Sequence, residues 1–241
     1  MHPAALALLL GLALAGQAGA QIITAARYGD PTTRYGHGVI GGDAEWGSLT
    51  VTVTTDGVPR AHRIELPQEL VFEDTAPRLW DVTGDGTPEV VVVQSHLVKG
   101  ARLAIVGLDA AAPALVAATP FIGQRNRWLA PVGAADLDGD GTVEVAFVDR
   151  PHLDRTLRIW RFEADDFREV AQTKGFTNHR IGDSEIFGGI RHCAAGPELI
   201  LASADWTELH ALRMTPETEL ISRLVATGTR PADISRALAC D

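Results

Sequence analysis

Past residue 20 the chain alternates apolar and polar residues in short runs rich in Val, Ile, Leu and Thr, and clusters of Gly, Pro and Asp bound the runs. A period of two with β-branched content predicts strands, and the Gly/Pro/Asp clusters predict the turns between them. No amphipathic helical period is read beyond residue 20. Residues 79–92 and 134–147 match closely and lie 55 residues apart. Each begins with a small acidic loop, Asp81-Val82-Thr83-Gly84-Asp85-Gly86-Thr87 or Asp136-Leu137-Asp138-Gly139-Asp140-Gly141-Thr142, and continues into an apolar run that starts at Glu89 or Glu144. One further step of the same length reaches 196–202, which keeps the Pro-Glu-apolar run but not the acids before it. One step back reaches 35–40, also without an acidic loop. Following strands are predicted at 48–53, 101–108, 156–162 and 208–214, and further ones at 60–66, 114–120, 167–173 and 220–226.

Four short strands per repeat is the arithmetic of propeller blades. The expectation is therefore an all-β fold: a small β-propeller of about four blades, each of four antiparallel strands. The first repeat lacks an innermost strand, and residues 230–240 stand where the next repeat would place one. This predicts a ring closed by the C-terminal strand joining the first blade, which would remove two exposed sheet edges.

Residues 1–20 read as a secretory signal, with an apolar run over 4–15 and an Ala18-Gly19-Ala20 cleavage site ahead of Gln21. The domain is then 21–241, cleaved after Ala20 and periplasmic or secreted. No later run approaches the roughly 20 apolar residues that span a bilayer, so no membrane insertion is expected. The formal net charge of −10 argues against a nucleic-acid partner. In an oxidising compartment the two cysteines, Cys193 and Cys240, predict one disulfide, the alternative being two buried thiols.

Much of the acid is clustered. Asp136, Asp138 and Asp140 take alternate positions of a glycine-containing turn, and so many carboxylates repel one another unless a cation lies among them. Calcium accepts six to eight hard oxygens in flexible geometry. An EF-hand loop needs a Glu at its twelfth position and helical flanks. Here that position is Phe147, within a predicted strand, so the EF-hand reading fails.

The two loops instead resemble the FG-GAP or VCBS repeat, the integrin-α-like repeat whose D-x-[DN]-x-D-G-x-x-[DE] loop precedes an apolar strand. The segment Ala130-Pro131-Val132-Gly133-Ala134-Ala135 is similar to that family's small-residue strand. The resemblance implies calcium-binding loops joining the first two strands of a blade. Carried over, the ligands are Asp136, Asp138, Asp140, Thr142 (carbonyl) and Glu144 in one loop, and Asp81, Thr83, Asp85, Thr87 (carbonyl) and Glu89 in the other. Both loops depart from the family in having Glu at the last ligand position, and Thr83 replaces an acid in the first.

In such propellers the loops on the face opposite the calcium turns carry Trp46, His96, His152 and Trp206, together with Arg125, Arg127, Trp128, His179 and Arg180. Aromatic platforms beside Arg suit a protein, peptide or glycan ligand. No nucleophile elbow, zinc-protease helix, P-loop or dinucleotide motif is present. The reading is a non-catalytic, exported binding module. The alternatives are a propeller-type hydrolase or lyase acting on a polysaccharide, or a structural envelope component.

Overall fold

The computed structural model describes residues 21–42, 45–163, 166–194 and 196–240; the expected signal segment lies outside them. The described residues form strands β1 (Gln21–Thr32), β2 (Glu45–Thr55), β3 (Val58–Glu65), β4 (Leu70–Phe72), β5 (Arg78–Trp80), β6 (Glu89–His96), β7 (Gly100–Asp109), β8 (Ala112–Ala118) and β9 (Leu129–Ala135). They continue with β10 (Glu144–Asp149), β11 (Thr156–Glu163), β12 (Asp166–Lys174), β13 (Phe176–Thr177), β14 (Gly189–Cys193), β15 (Gly196–Ser203), β16 (Glu208–Met214) and β17 (Leu220–Thr227). One helix, α1 (Pro231–Leu238), follows.

All the strand pairings are antiparallel. Strands β1–β8 make one eight-stranded sheet, in which short β4 bridges the β1–β2–β3 group to the β5–β6–β7–β8 group. Strands β9–β12 make a four-stranded sheet and β13–β17 a five-stranded one. The fold is all-β in its sheets, three antiparallel ones with a single short helix after them among the described residues.

The apolar alternation explains how the groups stack. On β6, Val90 and Val92 pack toward Leu49, Val51 and Phe72, whereas Val91 and Val93 pack toward Leu129, Val145 and Phe147. On β10, Ala146 and Val148 point the other way, into a cluster with Leu157, Leu199 and Leu201. These strands are buried on both faces, which is why their sequences read as near-continuous apolar runs. The first group is different. Val51 and Val53 are buried while Thr50, Thr52 and Thr54 on the same strand are only partly so, leaving its outward face polar.

Three expectations are corrected. Residues 35–40 form no strand; the role falls to β1, which pairs along β2 from Gln21↔Thr55 to Thr32↔Glu45. Paired glycines explain this, because Gly36 and Gly38 both adopt φ of 62° and break an extended run. The tail is not a closing strand but the helix α1, so closure through residues 230–240 does not occur. Pro231 occupies the first helical turn, and the Asp233 carboxylate accepts the Arg230 amide at 3.1 Å, a good N-terminus. Ile234 and Ala237 pack on Ile200, Leu209 and Ala211, covering one side of the last sheet. The expectation of no helix fails with it. Cys193 and Cys240 do form the disulfide. It ties the end of β14 to the end of α1 rather than to a closing strand.

Candidate functional site

The antiparallel order places the β5–β6 loop (81–88) and the β9–β10 loop (136–143) at one end of the sheets. The β1–β2, β6–β7, β10–β11 and β15–β16 loops and the long connections lie at the other end.

The two acidic loops are near copies. Asp136 accepts the Gly139 and Gly141 amides at 2.8 and 3.0 Å, and Asp81 accepts those of Gly84 and Gly86 at 2.8 and 2.9 Å. Asp140 accepts the Thr142 amide at 2.8 Å and Asp85 that of Thr87 at 2.7 Å. The strand-initiating glutamate reaches back in both, from Glu144 to the Leu137 amide at 2.7 Å and from Glu89 to the Val82 amide at 2.8 Å. The Thr83 hydroxyl adds a bond of 3.2 Å to Glu89. Gly84, Gly86, Gly139 and Gly141 carry φ between 73° and 90°, which the curl of the loop requires.

The donor set suits a hard cation in part. Oxygens of Asp136, Asp138 and Glu144 lie within 4.8 Å of one another, close enough to share an ion. Asp140 is half exposed. The second loop also carries a cation of its own: Arg161 of β11 lies 2.5 Å from Glu144 and from Asp138 and 3.0 Å from Asp140. Burial pushes the Glu144 carboxyl up to about 7, against the pull of the Leu137 amide and Arg161. Burial likewise raises Glu89 above the usual carboxylate range, against the hydrogen bonds from Val82 and Thr83.

At the opposite end, the nine residues read as a ligand face divide. Several hold one another. Trp46 stacks on Tyr28 with ring centroids 6.3 Å apart, and His96 meets the edge of Phe121 at 5.5 Å. Arg180 lies 3.7 Å over the Trp206 ring and donates to Thr229 at 3.1 Å. Arg125 donates to the Tyr35 carbonyl at 2.8 Å. Trp128 and His179 are buried, and Trp128 also lines a cavity.

The structure brings Arg127, Trp128 and His152 together around a cavity of about 270 Å³, and adds His37, Asn126 and Arg150 to its wall. Val39, Pro151, Leu153 and Ile181 complete the lining. His152 lies parallel to Trp128 at 6.2 Å, and its Nε2 is 2.9 Å from His179 Nδ1. The other His179 nitrogen donates to the Asp183 carbonyl at 2.9 Å, so Nδ1 accepts and His152 Nε2–H donates. Burial, with the neighbouring His179 and His37, lowers His152 to about 4. Burial also lowers His179.

His37 was not identified from the sequence. It lies in a worn repeat, and its one signal is the pair of flanking glycines. Its Nδ1 is 2.6 Å from Glu73, a buried acid that also accepts from Ser95. Glu45, buried as well, accepts the His37 amide at 2.9 Å. Burial keeps Glu73 above the usual carboxylate range despite His37 and Ser95. These acids stand behind the histidine, outside the cavity lining.

No family model and no curated protein matches the chain. Among solved structures, the chain aligns with the WD40 domain of SCAP from fission yeast at TM-score 0.46 and 9% identity, over 92% of this chain and 48% of that one. Rhamnogalacturonan lyase YesW aligns at TM-score 0.43 and 13% identity, over 91% of this chain and 52% of that one. An exo-β-1,3-galactanase from Phanerochaete chrysosporium aligns at 0.39 and 11%, over 88% and 54%. The chain thus spans about half the length of these structures. Among the described residues no helix is long and apolar enough to cross a membrane.

Proposed function

We propose that this chain is an exported, non-catalytic binding module of the FG-GAP/VCBS type. In this reading it has four blades: β1–β3, β5–β8, β9–β12 and β14–β17. It binds a small carboxylate-bearing ligand, such as an acidic sugar, in the cavity between Arg127, His37 and His152. One observation carries the ligand class. In a protein of net charge −10, this cavity is lined by two arginines and two histidines and by no Asp or Glu. Arg150 is spoken for by Asp149 and Asp154, at 2.9 and 3.0 Å, which leaves Arg127 as the charge offered to a carboxylate. A rigid pocket with a few convergent polar groups on an apolar wall is the common form of a small-ligand site. Arg127, offered to an anion beside an apolar wall, is the feature on which the binding reading stands.

Calcium in the aspartate loops is the structural part of the same proposal. Asp136, Asp138 and Glu144 would hold it in one loop, and Asp81, Asp85 and Glu89 in the other. Its chemistry there is charge neutralisation of clustered carboxylates.

Saturation-transfer NMR with glucuronate, with glucose and an acidic tripeptide as comparisons, tests the ligand site. Signal from glucuronate that Arg127→Ala abolishes supports it. Absence of signal, or equal signal from glucose, refutes it; signal from the tripeptide alone moves the ligand to acidic peptides.

A further inference from the structure

The strand-initiating glutamates Glu89, Glu144 and Glu198 occupy equivalent places, and the structure treats their charges differently. Glu144 faces Arg161 directly in the β10–β11 register. Arg161 is 6% exposed, and its guanidinium takes Glu144, Asp138 and Asp140 at once. A planar fork of five donors suits several carboxylates that converge from different directions. Glu198 is answered in the same way, by Arg191 at 2.6 Å and Arg223 at 3.1 Å, and its own loop has lost the acids. Glu89 faces Gly107, whose missing Cβ would sit 3.5 Å from the Glu89 side chain. The Thr83 hydroxyl and loop amides meet Glu89 instead.

Arg161 occupies an oxygen of Asp138 and one of Glu144, two of the three residues whose carboxylates lie close enough to hold an ion in this loop. A divalent cation needs those oxygens turned inward at about 2.3–2.6 Å. A guanidinium in the same place repels it and blocks its ligands. We propose that Arg161 is the resident cation of the Asp136–Glu144 loop, and that a divalent ion enters this loop only by displacing it. This rests on the calcium reading for the ion, but not for the role of Arg161.

The test measures calcium binding by isothermal titration, and melting in chelator, for the wild-type protein, Arg161→Met and Arg161→Lys. All three are made in an Asp85→Asn, Glu89→Gln background that silences the other loop, and the wild type at this site means that background with Arg161 kept. The expected result is that Arg161→Met binds calcium at least about tenfold more tightly than the wild type, within the range of about 10⁻⁴–10⁻³ M of extracellular sites. It should also melt lower in chelator and regain the loss when calcium is added. Arg161→Lys, which keeps a charge without the fork, should fall between, and it carries the test if the Met variant does not fold. Equal calcium affinity in all three, where the wild type binds, overturns the displacement claim. If none binds calcium at about 10 mM, the calcium reading of this loop fails. A lower melting temperature for Arg161→Met then still supports Arg161 as the loop's cation, and an unchanged one overturns it.

Discussion

Trp128 donates its indole N–H to the backbone carbonyl of Glu73 at 2.8 Å, joining the connection before β9 to the loop after β4 beneath the cavity. Its ring is 2% exposed and packs with Val91, Leu129 and Phe147. The same Trp therefore holds two sheets together and supports the histidines above it.

The cost of removing it follows from that burial. Trp128→Ala should lower stability by about 3–5 kcal/mol, measured by urea unfolding. Arg127→Ala, on the cavity wall without an ion pair among its described contacts, should stay within about 0.5 kcal/mol. A Trp128→Ala protein as stable as the wild type would contradict the packing role.

His152 should subtract stability as pH drops from about 6.5 toward 4. Glu144, whose carboxyl is held up to about 7, works in the opposite direction over part of that window, so the histidine's share is read as a difference between variants. His152 titrates near 4 in the folded protein because burial resists its charging, against about 6.5 when unfolded. Over that window the unfolded chain binds the proton and the folded one does not, so protonation favours unfolding. His179, lowered for the same reason, adds in the same direction. The melting temperature of His152→Gln relative to the wild type should therefore rise as pH falls through this window. An NMR titration of His152 with a midpoint near 6.5 would remove the basis for this expectation.

Loss of the Cys193–Cys240 bridge, which closes a span of 47 residues, should cost about 2–4 kcal/mol. The effect should be concentrated in α1. In Cys193→Ser, hydrogen exchange should speed up at Ile234–Ala237 well before it does so at Val90–Val93. Uniform acceleration across both would show that the bridge stabilises the whole domain instead.

Arg191 is buried, forks onto Glu198 at 2.8 and 2.6 Å, and donates to the Ala237 carbonyl at 2.7 Å. Burial alone would raise the Glu198 carboxyl, but the hydrogen bonds from Arg191 and Arg223 hold it below the usual range. Arg191→Leu leaves that carboxylate without its main partner and should cost about 3–5 kcal/mol. Glu198→Gln in the Arg191→Leu background should recover part of the loss. No recovery would mean that the Ala237 contact, not the charge pair, is what matters.

Much of this was legible along the chain because it is local. The glycine-containing acidic loops, the strands that begin at Glu89 and Glu144, and the alternation of Val90 to Val93 depend on turn hydrogen bonds and a period of two, which neighbouring residues set. The pairing of Cys193 with Cys240 needed only an even count. Tertiary structure alone decided the rest. It gave the tail a helix, because Ile234 and Ala237 found the exposed side of the last sheet to cover. It made Trp128 a core residue and His37 a cavity wall, because loops from separate repeats meet there. It also set Arg161 on three carboxylates, since a charge finds its counter-charge by distance in space and not along the sequence.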